Sequence, residues 1–257
     1  MLKYIYNRIF FVALTILVLL MDVYYEVPIW VYPIIYLAYI SISFYGSYFI
    51  QSDFYVKAHW HGDRNKKAVA LTFDDGPSKQ HTDKVLEILH REKVKACFFV
   101  IGKNIQGNEE LLMKMLEEEH IVGNHSYEHN FWFSMKSKES MIADTTRCNQ
   151  LVFDIIGKQM NFFRPPYGVT NPWIGKVVRN AKFLCIGWSI RTYDTTAKSK
   201  DAVVRKALNG LNNGDIILLH DWAPFTIDAL PEIIQGIRNR GFEILRVDEL
   251  LNQQAYV

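Results

Sequence analysis

The sequence predicts an α/β fold: a distorted or incomplete (β/α) barrel of about seven units, preceded by an N-terminal transmembrane helical hairpin. Three observations predict it. Short β-rich runs alternate with amphipathic helical stretches from Lys67 onward. Polar and metal-capable side chains gather where those runs end. Two uncharged apolar stretches fill most of the first 50 residues. Together they divide the chain into a membrane-spanning region (1–50), a linker (51–66) and an α/β domain (67–257).

The N-terminal region comes first. IFFVALTILVLLM (9–21) carries no charge, Asp22 and Glu26 interrupt, and Val27 to Ile50 is again uncharged. Two helices are expected, at about 9–25 and 28–50, because a bilayer span needs about 20 apolar residues. Tyr4, Tyr24, Trp30 and Tyr48 lie near the ends, as interfacial aromatics do. A cleaved signal peptide fits less well, since Met21-Asp22-Val23-Tyr24 is a poor cleavage site. Lys3 and Arg8 precede the first run, Lys57, Arg64, Lys66 and Lys67 follow the second, and the loop between holds only acids. The positive-inside rule then places both termini and the α/β domain in the cytoplasm; with one span the domain moves to the other side.

The domain reads as alternating units. Strands are expected at 67–73, 97–102, 121–125, 161–164, 183–189, 215–221 and 242–246. Between them the apolar spacing predicts helices at 82–93, 109–120, 138–156, 201–211 and 227–239. Asn171 caps a short helix with Pro172 at its first position. Strict alternation argues a parallel sheet. A formal net charge of +2 in 257 residues gives no reason to expect nucleic acid. With 49% hydrophobic and 22% charged residues, the chain is not a disordered one. Three cysteines, Cys97, Cys148 and Cys185, make neither a disulfide framework nor a cysteine zinc site, and read as small buried residues.

In a barrel, chemistry sits where strands end. The first strand ends in Asp74-Asp75-Gly76-Pro77, and the third in His125, with His129 four residues on. The fourth ends in Arg164-Pro165-Pro166-Tyr167-Gly168, and the sixth in His220-Asp221. On a helical turn the His125 and His129 rings would face one side and grip one ion, with Asp75 as an oxygen ligand. Two imidazoles and a carboxylate leave positions for water, which marks a catalytic site. Taken singly, the histidine pair also reads as surface residues and Asp-Asp-Gly-Pro as a polar turn.

Taken in order, Thr72-Phe73-Asp74-Asp75-Gly76-Pro77, His125-Ser126-x-x-His129, Arg164-Pro165-Pro166-Tyr167-Gly168 and Leu218-Leu219-His220 resemble the motif set of the polysaccharide deacetylases, the NodB-homology family of carbohydrate esterases. The likeness runs from about Lys67 to Leu251, leaving the N-terminal region outside. It implies metal-dependent hydrolysis of an N-acetyl, O-acetyl or related acyl group on a sugar. Asp75, His125 and His129 would bind a divalent ion, most simply Zn²⁺, with Co²⁺ or another divalent ion as alternatives. Asp74 would be the general base, oriented and kept ionised by Arg164. The Tyr167 backbone N–H would hold the oxyanion and His220 would protonate the leaving amine. Leu218, Trp188 and Pro166 would wall the acyl pocket.

One motif departs. Where the family has Asp-x-x-Asp-Trp after the fifth strand, this chain has Arg191-Thr192-Tyr193-Asp194-Thr195. A cation beside His220 would lower its pKa. Asp194 is therefore expected to turn inward and supply the carboxylate partner of His220. His90 and His120 lie near helix ends, where histidine suits the dipole. The expected protein is a deacetylase of cell-envelope glycans or their precursors, in a bacterial-type inner membrane. Its partners would be the membrane and an acylated glycan or lipid-linked sugar. The alternatives are a deacylase or deformylase of a lipid-linked sugar at the cytoplasmic face, or a carbohydrate-binding protein that has lost catalysis.

Overall fold

A computed structural model of the chain describes residues 3–257. Two helices, α1 (Lys3–Tyr25) and α2 (Val31–Tyr48), lead the chain. They lie against each other, with the Phe11 and Tyr39 rings 5.5 Å apart. At the far end Asp22 closes the connection, accepting from the Val27 N–H (2.6 Å) and the Tyr32 hydroxyl (3.0 Å). Both helices differ from expectation: α1 begins at Lys3 rather than near residue 9, and α2 covers less than 28–50. Among the described residues, only α1 is long and apolar enough to cross a membrane, with a mean hydropathy of 2.0. The expected two-span hairpin is not shown, because five tyrosines dilute the apolar character of α2.

The sheet is built from β1 (Ala58–His59), β2 (Ala68–Asp74), α3 (Thr82–Arg91), β3 (Cys97–Val100), α4 (Gly102–Ile105), α5 (Glu109–Glu117), β4 (Ile121–Asn124), α6 (Lys138–Ile156) and β5 (Phe162–Phe163). There follow α7 (Pro172–Asn180), β6 (Leu184–Ile186), β7 (Ile190–Arg191), α8 (Lys200–Leu208), β8 (Ile216–His220), α9 (Thr226–Asn239), β9 (Glu243–Ile244) and α10 (Val247–Leu251). The strand order is β1-β6-β5-β4-β3-β2-β8-β7, with β9 beside the start of β2, and every named pair is parallel. The result is a curled, incomplete (β/α) barrel. Its two sides meet at Gly187-Trp188-Ser189, the three residues that separate β6 from β7.

Two features differ from the sequence expectation. The single strand expected over 183–189 covers only Leu184–Ile186; the chain then breaks, and resumes beyond the expected range as β7, paired at the opposite end of the strand order. The carbonyls of Ile186 and Gly187 at the break accept from the buried Arg164 guanidinium instead of a neighbouring strand (3.1 and 2.8 Å). Residues 51–66, expected as a linker, are built into the domain. Phe54, Tyr55 and Val56 are buried in the core, and β1 pairs with β6.

Alternation along β2 decides what reaches the mouth. Val69, Leu71 and Phe73 face outward, into a core shared with Val85, Leu86 and Leu89 of α3 and Ile233, Ile234 and Ile237 of α9. Ala68 and Ala70 face the barrel interior, with Phe99, Trp188 and Leu218. The period of two carries Thr72 and Asp74 to that same interior face. Parallel register puts Asp74 level with Phe99 of β3 and with His220 of β8.

Candidate active site

Asp74 is the last residue of β2, and only 4% of it is exposed. Its Oδ1 accepts from Arg164 Nη1 at 2.6 Å. Arg164 is wholly buried, and its other donors are used as well: Nη1 also reaches Thr72 Oγ1 (3.0 Å), while Nε and Nη2 take the carbonyls at the β6 break. The Phe99 ring covers the guanidinium at 4.1 Å. A buried cation held by four hydrogen bonds, at least one from each nitrogen, with one carboxylate partner fixes that carboxylate in place. Asp74 Oδ2 is left facing the cleft, 3.7 Å from His125 Nε2.

Asp75 Oδ1 lies 3.4 Å from His125 Nε2 and 3.3 Å from His129 Nε2. The two rings are 4.7 Å apart. The pair does not share a helical turn as expected; His125 follows β4 directly, and a turn with left-handed Ser126 (φ 69°) and His129 (φ 47°) swings the second ring back. His125 Nδ1 meets the Arg164 carbonyl at 2.7 Å, which fixes its tautomer and leaves the Nε2 lone pair toward Asp75. His129 Nε2 is buried without a hydrogen-bond partner. One donor atom from each of the three residues lies within 4.8 Å of the others. An orphaned imidazole nitrogen, a second with its lone pair free and a carboxylate are the donor set of a divalent-ion site, and the three residues fit one.

The electrostatics agree with that donor set. Burial first, then the His125 charge, pushes His129 down to about 3, so the ring is neutral, as a ligand must be. Burial opposes ionisation of Asp75, but the three imidazoles that surround it, His125 foremost, with His129 and His220, outweigh burial and hold the carboxyl low.

Asp194 is fully buried and turned inward. Its Oδ1 lies 2.9 Å from His220 Nδ1, and its Oδ2 accepts from the His220 backbone N–H (2.6 Å) and the Thr226 hydroxyl (2.8 Å). The turn that brings it there places Tyr193 at φ 56°. Burial works to lower the His220 pKa, but Asp194, Asp74 and Asp75 raise it overall. The expected lowering by Arg191 is not seen, because the Arg191 guanidinium is directed over the Tyr193 ring (5.1 Å) and the Trp188 ring (5.8 Å).

A cavity of about 210 Å³ is lined by Asp74, Asp75, His129, Tyr167, Trp188 and Leu218, with Arg191, Thr195, His220 and Trp222 completing it. Pro166 is buried in the turn before Tyr167 and does not line this cavity. A wider groove of about 600 Å³ leads off past Asp75, His129 and Trp222 toward Lys79 and Lys103. Sequence reasoning missed Trp222, whose Nε1 donates to Asp75 Oδ2 at 3.1 Å. Its signal was position, two residues past His220 at a strand end. It also missed Asp221, which is buried behind the Asp75-Gly76 turn and accepts from the Thr82 hydroxyl. Burial pushes Asp221 up to about 7.

Asp75, Ser126, His129, Tyr167 and Tyr193 all have positive φ without being glycine. Such conformations cost about 1–3 kcal/mol each and collect where geometry serves chemistry.

The polysaccharide deacetylase family model matches residues 61–186. A peptidoglycan N-acetylglucosamine deacetylase of Bacillus cereus is 31% identical over 197 residues, covering 75% of this chain and 92% of its own. This chain belongs to the polysaccharide deacetylase family. The peptidoglycan N-acetylglucosamine deacetylase PgdA of Listeria monocytogenes is 34% identical over 194 residues, 76% of this chain. This chain spans about two fifths (41%) of that protein's length. The solved structure of Bacillus subtilis PdaA, a family 4 carbohydrate esterase, superposes with a TM-score of 0.69 at 29% identity, covering 75% of this chain and 84% of that one.

Proposed function

We propose that this chain is a metal-dependent deacetylase that hydrolyses N-acetyl groups on amino sugars of a cell-envelope glycan or its precursors, with the paired helices α1 and α2 as its membrane anchor. One observation carries the reading. The Asp75–His125–His129 donor set opens onto a single small cavity with the Asp74–Arg164 and His220–Asp194 pairs.

Asp75, His125 and His129 would hold the ion, Zn²⁺ being the simplest choice for one carboxylate and two imidazoles. Bound there, the ion would act as a Lewis acid, lowering the pKa of a water and polarising the acyl oxygen. Asp74 takes a proton from the attacking water through Oδ2, since Arg164 engages Oδ1. The water oxygen bonds to the acetyl carbon while the Tyr167 backbone N–H donates to the developing oxyanion. The C–N bond breaks, and His220 delivers a proton from Nε2 to the leaving nitrogen while Nδ1 donates to Asp194. Acetate and a free amine result. Trp188 and Leu218 enclose the methyl group, and a 210 Å³ cavity suits a short acyl group over a long chain.

Acetate release from N-acetylglucosamine oligomers and peptidoglycan fragments tests the proposal, using full-length protein stripped with chelator and resupplied with Zn²⁺ or Co²⁺. Release should depend on metal. D74N should lose roughly 10²–10³ in turnover while still binding metal, and H125A should lose the metal itself. Absence of release with every metal overturns the proposal and leaves a carbohydrate-binding protein. O-acetylated and N-formylated sugars in the same panel decide the acyl group. A reporter fused to the C-terminus decides the side of the membrane, for which the flanking charges favour the cytoplasm.

A further inference from the structure

The C-terminal end of α2 is joined to the active-site rim. Ser47 accepts from the Thr170 N–H (3.0 Å) and donates its hydroxyl to the Thr170 carbonyl (2.7 Å), while the Thr170 hydroxyl reaches the Gly46 carbonyl (3.2 Å). Thr170 stands three residues past Tyr167, on the same loop. Just beyond α2, Gln51 donates to the carbonyl of the pocket residue Trp188 at 2.9 Å. The start of α1 docks on the same segment, with the Tyr4 N–H on the Phe54 carbonyl (3.2 Å) and the Tyr4 and Tyr55 rings 5.3 Å apart. Gly46 packs so closely on Phe54 that a Cβ would overlap the ring. The helices are therefore held to the domain through packed side chains and a loop of the active site.

This attachment sets a depth. An 18-residue helix rises roughly 27 Å, close to the hydrocarbon thickness of a bilayer, about 30 Å. If α2 stands beside α1 in the membrane, the end of α2 and Thr170 share the level of the lipid headgroups. The side chains at that level suit it. Phe44 (68% exposed), Tyr48 and Phe49 project from the end of α2. Trp132 (60%) and Met135 (74%) project from one rim loop and Trp173 from the first turn of α7, and Asn171, which caps α7, ties the two together by donating to the Ser134 carbonyl. The Lys176 ammonium lies 4.2 Å from the Trp173 ring. Exposed aromatics with lysine among them are the chemistry of a membrane–water interface, and a soluble surface rarely exposes so many together.

We propose that this rim rests on the bilayer surface, so that the cleft opens along the membrane and the substrate is a glycan attached to a membrane-embedded lipid. The reaction in this proposal rests on the deacetylase reading; the membrane contact rests on separate residues.

The test uses full-length protein in phosphatidylethanolamine/phosphatidylglycerol nanodiscs. The native cysteines are buried, so a fluorophore reports from one introduced cysteine. In W132C the label should be quenched by nitroxide carried on lipid headgroups and shielded from aqueous iodide. In K158C, between α6 and β5 where the chain enters the strand rather than leaves it, the reverse is expected. A label at 132 as open to iodide as one at 158 overturns the membrane contact. Turnover is then compared on one N-acetylglucosamine oligomer, free or coupled to phospholipid in the disc. Confinement to the surface should favour the coupled form by roughly tenfold or more. W132S/M135S/W173S should lose that preference and keep turnover on the free oligomer. Equal turnover of the two forms by the unsubstituted protein overturns the substrate assignment. No turnover of either overturns the deacetylase reading, while the quenching result stands by itself.

Discussion

Asp194 shows how a substitution in a motif can be absorbed by a turn. Its carboxylate accepts from the ring and the backbone of His220, from the Thr226 hydroxyl and from the Thr195 N–H, four contacts on a group with no exposure. Two oxygens are needed to hold both the imidazole tautomer and the strand end. Replacing one with an amide nitrogen puts a donor opposite a donor. D194N should lower turnover roughly 10²-fold with metal content unchanged, measured by acetate release beside metal analysis. Equal turnover of the two proteins would remove Asp194 from the reaction. The convergence of Asp74 with the three candidate ligands was legible because side chains of that chemistry fall at strand ends. Trp222 and Asp221 were not, since nothing in a Trp or Asp after a histidine says whether it points into a cleft or behind one. Arg191 was legible as a charge, but its direction over Tyr193 depends on the left-handed turn at Tyr193, which no local pattern announced.

Among the elements, the turn Pro166–Gly168 carries the tightest local constraint. Gly168 has φ 68°, and a Cβ there would lie 2.1 Å from the Trp188 ring. G168A therefore meets both strain and overlap, and the ring it displaces lines the small cavity beside Asp74 and Asp75. The expected cost is about 1–3 kcal/mol in urea denaturation, with a larger proportional loss of activity than of stability. Retained activity on small acetylated sugars would show that the ring can move without consequence. Strand and helix existence followed from alternation, and α6 lies at its expected 138–156. The break between β6 and β7 did not, because a continuous apolar run conceals an interruption. Arg164, far along the chain, stabilises the break by taking the carbonyls there. The build of residues 51–66 into the sheet was equally hidden, since a two-residue strand has too short a period to read.

For the whole molecule, acid stability depends on His120. Its expected role as a cation at a helix end is not what the fold uses: the ring is 2% exposed, and its Nδ1 accepts from the Ala96 N–H at 3.0 Å. Burial, with Lys95 and Arg246 adding to it, pushes its pKa down to about 3. The unfolded chain therefore takes a proton near pH 6.5 that the folded chain refuses until about 3. Stability should be unaffected above pH 6.5, fall between 6.5 and 3, and level off below. H120N keeps an acceptor for Ala96 without a titrating group, and should flatten that part of the pH dependence in denaturant titrations. An unchanged slope would assign the acid sensitivity elsewhere. The segment that follows α2 bears on stability in another way. β1 is the outermost strand on the β6 side, and it directly follows Phe54, Tyr55 and Val56, which are sunk in the core. Trimming the chain at residue 67 to obtain a soluble enzyme would bare the backbone donors and acceptors of β6 and empty part of the interior. Such a fragment should aggregate by edge-to-edge pairing, visible in light scattering, whereas one starting a few residues before Ile50 should stay dispersed. The N-terminal helices and the barrel thus have no clean seam between them, and cutting one free injures the other.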